Sequence, residues 1–172
     1  RVRLGWAPVL VLILVAVLYF NKWIPPVPLS MQYAGIFRSV EPQAGYYRLT
    51  YLTPPWTRFW QKSEPLFLAR EGDRVYFFTR IFGPSRFQHQ VFLRWELKDP
   101  RGNRWIRSDR IPLPIKGGRE QGYRGYAYKE NYQPGEWRVE VETEDGRELG
   151  GVVFRIEQDP SVEERIFLER WM

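Results

Sequence analysis

The sequence of 172 residues lacks cysteine and contains a single histidine, His89. Without thiolates, the sequence excludes disulfides, cysteine nucleophiles and iron–sulfur clusters, and one histidine leaves almost no ligand set for zinc or haem. The missing cysteines do not indicate a compartment, because their absence is compatible with either side of a membrane. We therefore predict a protein without a metal or any other cofactor.

A recognisable catalytic constellation is missing as well. Hydrolysis needs a base with a nucleophile, or paired carboxylates in a cleft. The only dense carboxylates, at positions 140, 142, 144 and 145, follow a strand pattern into a turn, which is typical of a solubilising face. The sequence has no basic helix and no base-reading motif. We predict that the protein is not an enzyme and does not bind nucleic acid; a deep pocket joining His89 to acidic side chains would favour an enzyme.

A β pattern is strongest in residues 135–157. Trp137, Val139 and Val141 alternate with charged residues, as in a half-buried strand. Asp145-Gly146 predicts a two-residue hairpin turn, and Gly150-Gly151 predicts a bulge. A lone hairpin is marginal in water, so the chain before it must supply more strands. With 17% aromatic residues and fourteen each of proline and glycine, this predicts an all-β fold, an immunoglobulin-like antiparallel β-sandwich over residues 33–158.

Charge is distributed unevenly along the chain, whose net charge is +6. Residues 21–129 carry 19 Lys and Arg against 8 Asp and Glu, a balance of +11, whereas residues 130–172 carry 5 against 12, a balance of −7. Such an arrangement could orient the domain on an anionic membrane or on a partner. An ordinary solvated β surface explains the same counts.

Residues 4–20 form an uncharged, mostly aliphatic run. Seventeen residues are at the short end of what crosses a bilayer, and the aromatic residues Tyr19, Phe20 and Trp23 stand where an interfacial belt would extend the span. A cleaved signal peptide would need a small-residue cleavage site, and a buried core helix would show a polar face. We therefore predict one transmembrane helix over residues 1–23, which places the chain in the inner (cytoplasmic) membrane.

The residues around this run predict its orientation and its surroundings. Arg1 and Arg3 precede it and Lys22 follows, which favours a cytoplasmic start and a periplasmic domain. A stiff, proline-rich spacer over residues 24–32 then holds the domain close to the bilayer. Because the chain begins with Arg and not Met, we expect it to be the tail of a longer polypeptide.

Two aromatic segments are candidates for contact with membrane or partner. In residues 53–60, the side chains of Trp56, Phe59 and Trp60 would lie on one side of a helical turn. They would contact the membrane interface or a partner, or they would close one end of the sandwich. Residues 159–172 read as a short C-terminal helix with a capping box at Ser161 and Glu164. The predicted contact residues are Tyr19, Phe20, Trp23, Trp56, Phe59, Trp60, Ile166, Phe167 and Trp171.

The segment from Lys116 to Arg119 has two glycines and two cations, as an anion cradle would. It lacks the strand–loop–helix context and the spacing of a phosphate-binding loop. We therefore predict a solvated turn at this place.

Several motifs in order resemble an uncharacterised bacterial domain-of-unknown-function family. They are VYFFTRIFGP, LRWELKD, Trp105, GGR followed by GYRGYAYK, and GEWRVEVETEDGRELG, and the likeness covers residues 24–157. The resemblance implies a domain at the C-terminus of multi-helix membrane proteins and implies no established activity. Members often carry a histidine two residues before the strand tryptophan, where this chain has Leu93.

These observations lead to one main functional prediction. We expect a non-catalytic, membrane-anchored β-sandwich that acts as a scaffolding or accessory subunit of a larger membrane protein complex. Its partners would be membrane lipid and other membrane-protein subunits. The alternative is an envelope ligand-binding module that uses exposed tyrosine and tryptophan rings as stacking platforms for glycan.

Overall fold

The computed structural model describes residues 6–20, 29–52, 64–83, 90–118 and 122–172. This part of the chain contains one helix, α1, and twelve strands. Their bounds are α1 (Ala7–Phe20), β1 (Ser30–Phe37), β2 (Ser39–Gln43), β3 (Tyr46–Leu52), β4 (Leu66–Ala69), β5 (Val75–Phe82), β6 (Val91–Lys98), β7 (Trp105–Leu113), β8 (Ile115–Gly118), β9 (Gly122–Lys129), β10 (Gly135–Thr143), β11 (Glu148–Gln158) and β12 (Phe167–Trp171).

The strands form three sheets. The large sheet has the order β4-β11-β10-β6-β7, the middle sheet β1-β5-β9-β8, and the small sheet β12-β3-β2. Neighbouring strands are antiparallel, except that β4 runs parallel to β11. The prediction of a mostly antiparallel, all-β body is therefore confirmed.

The main core lies between the large and the middle sheets. Alternate residues of both sheets point into it, so that Phe77 of β5 and Leu93 of β6 are completely buried. Trp137, Val139 and Val141, the predicted inner face of β10, belong to the same core. Each such side chain contributes roughly 1.5–3 kcal/mol when it leaves water, which makes this core the main source of stability.

A second core lies between the middle sheet and the small sheet. It contains Phe37, Tyr47, Leu49 and Phe78, with the Tyr47 and Phe78 ring centroids 5.3 Å apart. Phe77 and Phe78 are consecutive and both completely buried, so β5 is covered on both faces. The fold thus has a third layer beyond the predicted two-layer sandwich.

The hairpin of β10 and β11 differs in its turn from the prediction. The loop has four residues, 144–147, and the Gly146 N–H donates to the Thr143 carbonyl at 2.9 Å. The predicted bulge is present, because Val141 pairs with Gly150 while the next residue pairs with Glu148. A Cβ on Gly151 would stand 2.3 Å from the Val139 carbonyl oxygen, so this close approach requires glycine.

The predicted transmembrane helix is wrong. The apolar run forms α1, which has 14 residues. At about 1.5 Å per residue it is roughly 21 Å long, short of the hydrocarbon thickness of about 30 Å. Of the residues that the structure describes, no helix combines the length and the apolar character needed to cross a membrane. The predicted single-span location in the inner membrane is therefore wrong too.

The predicted C-terminal helix is also wrong. Residues Phe167–Trp171 form strand β12, which pairs antiparallel with β3. The Ser161 hydroxyl donates to the Asp159 carboxylate at 2.8 Å and caps no helix. Phe167 and Trp171 are four residues apart, a spacing that puts two side chains on one side of a helix and also on one face of a strand. Pairing with β3 decides between the two.

Candidate binding surface on strand β12

The structure places the predicted contact residues in different situations. Trp23, Trp56, Phe59 and Trp60 lie outside the described residues, as does His89. Tyr19 and Phe20 are the last two residues of α1. Ile166, Phe167 and Trp171 are 73%, 46% and 54% exposed. Phe167 and Trp171 are therefore both exposed on the same edge strand of the small sheet.

The backbone of β12 presents hydrogen-bonding groups on its open edge. Just after β12, Met172 exchanges two hydrogen bonds with Tyr47: its N–H donates to the Tyr47 carbonyl at 3.0 Å and its carbonyl accepts at 2.7 Å. Bonded and non-bonded pairs alternate in an antiparallel ladder. By this alternation, Phe167, Glu169 and Trp171 direct their N–H and C=O groups away from β3. Within the described sheets, no strand pairs with this edge.

The side chains of β12 alternate between two faces. Arg170 faces the middle sheet, with its guanidinium 5.2 Å from the ring centroid of Tyr33. Phe167, Glu169 and Trp171 therefore lie on the opposite face, which is the outer face of the small sheet. Between the two aromatic rings, the Glu169 carboxylate is 3.3 Å from a nitrogen of Arg48. This face offers two half-exposed rings separated by an ion pair.

The other edge strands carry features that hinder pairing with another chain. Strand β1 has a register shift between Met31 and Tyr33, β2 contains Pro42, and β7 contains Pro112 and an unpaired residue, Ser108, at its register shift against β6. Strands β4 and β8 have only four residues each. Bulges, prolines and short length are the usual protections of sheet edges. Strand β12 has no proline, no glycine and no register shift.

A chain of ion pairs fixes the segment that leads to β12. We call it the arginine clasp: Glu64 pairs with Arg38 at 2.9 Å, Arg38 with Asp73 at 2.9 Å, Asp73 with Arg165 at 2.7 Å, and Arg165 with Asp159 at 3.1 Å. Arg165 also donates to the Leu68 carbonyl at 2.7 Å. The clasp ties residues 159–165 to the sandwich and so determines where β12 begins.

The buried end of the clasp is the pair of Glu64 and Arg38, whose side chains are 5% and 6% exposed. Burial raises the pKa of Glu64, and Arg38 opposes this shift. The Leu52 N–H donates to the Glu64 carboxylate at 2.6 Å, and the Arg38 guanidinium lies 3.6 Å from the ring centroid of Phe67. Both charges are therefore held in place by contacts on several sides.

The other end of the clasp is Asp159. Hydrogen bonds from Ser161, and further ones from Arg165 and Arg70, hold the pKa of Asp159 well below its usual range. The carboxylate therefore stays ionised in ordinary buffers, and the clasp stays intact.

Two of the four carboxylates that the sequence places on a solubilising face are buried and paired with arginine, whereas Glu144 and Asp145 are exposed. Glu140 and Glu142 are 9% and 3% exposed, and both contact the Arg94 guanidinium, which also pairs with Glu148. Arg110 reaches Glu142 from β7 at 2.5 Å. The alternation on β10 was predicted correctly, but its outer face is an ion-pair network and not a solvated surface.

A groove of about 650 Å³ lies at one end of the large sheet, beside the turn from β6 to β7. Its lining includes the ion pair of Lys98 and Glu136, 3.1 Å apart, and the apolar side chains of Leu97 and Ile156. None of the described residues that line this groove is aromatic, so its described wall does not offer the stacking platform that glycan binding would use. In the described part of the chain, no cluster of acidic or histidine side chains is arranged to hold a metal.

Part of the chain is similar to an uncharacterised protein family. Residues 88–156 match a family described as a protein of unknown function, DUF2914. This confirms the predicted kind of family and does not address the predicted C-terminal position in multi-helix membrane proteins. No curated protein matches the chain.

Three solved structures show distant similarity. A crystal structure of an immunoglobulin-like protein from Pseudomonas aeruginosa has a TM-score of 0.41 and 14% identity, covering 77% of this chain and 99% of its own. The Pseudomonas fluorescens alkylpurine DNA glycosylase AlkC, bound to DNA with an abasic site analog, has a TM-score of 0.37 and 12% identity. The match covers 74% of this chain and 30% of that protein. A lipoprotein from Bacteroides thetaiotaomicron has a TM-score of 0.33 and 18% identity, and the match covers 72% of this chain and 87% of that protein. Similarity at this level supports no inference about activity or ligand.

Proposed function

We propose that this chain is a non-catalytic protein-binding module, a scaffolding or accessory subunit that holds a partner through strand β12. The observation that carries the proposal is the open edge of β12. There the backbone groups of Phe167, Glu169 and Trp171 point away from β3, and the Phe167 and Trp171 rings remain about half exposed. Of the described edge strands, this one alone has more than four residues, no proline and no register shift.

The chemistry of such an edge selects an extended partner segment. A strand added to a sheet edge gains affinity from main-chain hydrogen bonds and specificity from alternate side chains. Each bond contributes about 1 kcal/mol net. Phe167 and Trp171 would pack against apolar side chains of the partner, and the exposed acidic residues Glu163, Glu164 and Glu169 would favour basic residues beside them.

The surroundings of the carboxylates support binding over catalysis. A general base needs an accessible carboxylate with a pKa suited to proton transfer. Glu140 and Glu142 are instead buried beneath Arg94, and Asp159 is held ionised within the clasp. These groups stabilise the fold, which leaves the surface of β12 as the better candidate for function.

We expect the double substitution of Phe167 and Trp171 by serine to remove the partner. Exposed aromatic residues at an interface are typical hot spots, and the loss of two should weaken binding by about 100-fold or more. The measurement is affinity purification of the tagged chain from cells that make it naturally, with the recovered proteins identified by mass spectrometry. Val162→Ser is the matched control, because Val162 is 98% exposed and lies outside β12.

The expected result is a set of proteins that accompanies the natural chain and the Val162→Ser variant, and is lost from the double variant. Circular dichroism of each variant verifies that it is folded. A chain that purifies alone, or a protein set that the double substitution leaves unchanged, would contradict the proposal.

A further inference from the structure

A row of cations crosses the middle sheet on the face that is turned toward the small sheet. In register, Tyr33 of β1 lies opposite Arg80 of β5, Arg80 opposite Arg124 of β9, and Arg124 opposite Lys116 of β8. Directly opposed residues share one face of a sheet, with Cβ atoms about 5 Å apart. Three neighbouring positions of this row are therefore positively charged. Lys116 lies in a strand and not in the solvated turn predicted for residues 116–119.

These cations have no Asp or Glu side chain as a partner among the described residues. Neither Arg80, Arg124 nor Lys116 belongs to an ion pair there, and neither does Arg170, which approaches Tyr33 from the small sheet. Every acidic residue of the chain except Glu120 lies in the described part. The arginine clasp and the Arg94 network, in contrast, match each guanidinium with carboxylates. Like charges placed side by side repel one another, so this row favours an external anion.

Two nitrogens of the row, Nε of Arg80 and Nε of Arg124, are buried without an acceptor among the described residues. The same is true of Nη1 of Arg170 on the facing small sheet. The other nitrogens of Arg124 donate to a main-chain oxygen of Met172 at 3.1 Å and to the Gly45 carbonyl at 2.8 Å, which fixes the guanidinium in place. A buried donor without an acceptor is unfavourable, and an oxyanion would supply acceptors.

A cavity of about 340 Å³ opens beside the row. Lys116 and Arg124 line it, together with the turn between β2 and β3, which contains Ala44 and Gly45 in left-handed conformations. Tyr46 and Tyr47 complete the wall, and none of the described residues in the lining is acidic. The cavity thus combines two cations, tyrosine rings and backbone of the turn.

We propose that this cavity binds an oxyanion of the phosphate class, with Lys116 and Arg124 as direct ligands and Arg80 as the neighbouring charge. A doubly charged oxyanion matches several cations that no described Asp or Glu side chain neutralises, and its oxygens accept hydrogen bonds from lysine and guanidinium donors. The phosphate group could belong to a small soluble molecule or to a lipid headgroup. This inference does not depend on the proposed role of β12, because the cavity is formed by other strands.

The test uses the whole folded chain and inorganic phosphate as the probe. We expect isothermal titration calorimetry to detect phosphate binding that chloride at the same ionic strength does not reproduce. Lys116→Met should weaken binding by about 10-fold, since it removes one charge-assisted contact. Lys116 is exposed, so this variant keeps the fold. Arg107→Met is the matched control, because it removes an exposed cation from β7 in the large sheet, outside the cavity.

A second arm separates the two sources of phosphate. Vesicles of phosphatidylcholine with phosphatidic acid, and vesicles without it, are sedimented with the chain. Cosedimentation that requires phosphatidic acid and is lost in Lys116→Met supports a lipid headgroup, whereas binding of inorganic phosphate alone supports a soluble ligand. The proposal is overturned if neither probe binds, or if Lys116→Met binds both as well as the Arg107→Met control.

Discussion

Arg38→Met is expected to lower the free energy of unfolding by about 3–5 kcal/mol, because it leaves the buried Glu64 carboxylate without its cation. In the variant, the Leu52 N–H remains as a hydrogen-bond donor to Glu64, and the contact of the guanidinium with the Phe67 ring is lost. Asp73 loses one of its two arginine partners as well. The measurement is urea denaturation at neutral pH.

The matched control for Arg38→Met is Arg74→Met. Arg74 pairs with Glu130 at 2.7 Å, but both side chains are about half exposed, so its removal should cost no more than about 1 kcal/mol. Combining Arg38→Met with Glu64→Leu should recover much of the lost stability, because the unpaired charge is then absent. Arg38→Met would contradict the account if it lost no more stability than Arg74→Met.

The loss of unfolding free energy in Arg38→Met should depend on pH. Burial raises the pKa of Glu64 above its ordinary value of 4.5, and without Arg38 this shift becomes larger. The folded variant then binds a proton more readily than the unfolded chain. The stability that Glu64 protonation contributes to the variant is therefore fully present below pH 4.5, and it is lost as the pH rises through the pKa of Glu64 in the folded state. Denaturation at neutral pH and near pH 4.5 should show the smaller deficit at the lower pH.

The second large effect is expected from Glu169→Pro. The Glu169 N–H points to the open edge, so proline removes a donor that β3 does not use, and its ring blocks an incoming strand. Binding of the partner should weaken by about 100-fold or more, from the loss of two or three main-chain bonds at about 1 kcal/mol each. The variant should keep its fold and lose the proteins that accompany the natural chain.

Two further variants separate the causes of this effect. Glu169→Gln removes the charge that faces Arg48 and leaves the backbone unchanged, so it should weaken binding far less than Glu169→Pro does. Arg170→Pro removes an N–H that the ladder alternation assigns to β3, so it should destabilise the small sheet itself. Equal binding by Glu169→Pro and by the natural chain would show that the edge is not the contact.

The sequence predicted best where a single strand determines the pattern. The alternation of Trp137, Val139 and Val141 identified the inner face of β10, and the marginal stability of one hairpin required a second sheet. The third layer was missed, although Phe77 and Phe78 carry its signal. Two consecutive large apolar residues in a strand indicate burial on both faces.

The errors at the two ends of the chain have physical causes. An apolar run does not determine where a helix begins and ends, and α1 is shorter than the run. At the other end, the spacing of Phe167 and Trp171 is compatible with a helix and with a strand, so only the pairing with β3 distinguishes them. Local pattern alone could not decide either case.

The ion clusters could not be predicted from the sequence. Arg38 and Glu64 are 26 residues apart, and Arg165 meets Asp73 across 92 residues. The cations Arg80, Lys116 and Arg124 are likewise neighbours only through the strand register of the middle sheet. Charge counts gave the excess of cations in residues 21–129 but not which of them would lack a carboxylate.

The central claim, that the open edge of β12 receives a partner strand, is tested most directly by residue-resolved amide hydrogen exchange. In the isolated chain, the amides of Phe167, Glu169 and Trp171 should exchange rapidly, while those of Leu168 and Arg170 are protected by β3. In the complex recovered from cells, all five should be protected. Rapid exchange at positions 167, 169 and 171 in both samples would contradict the account.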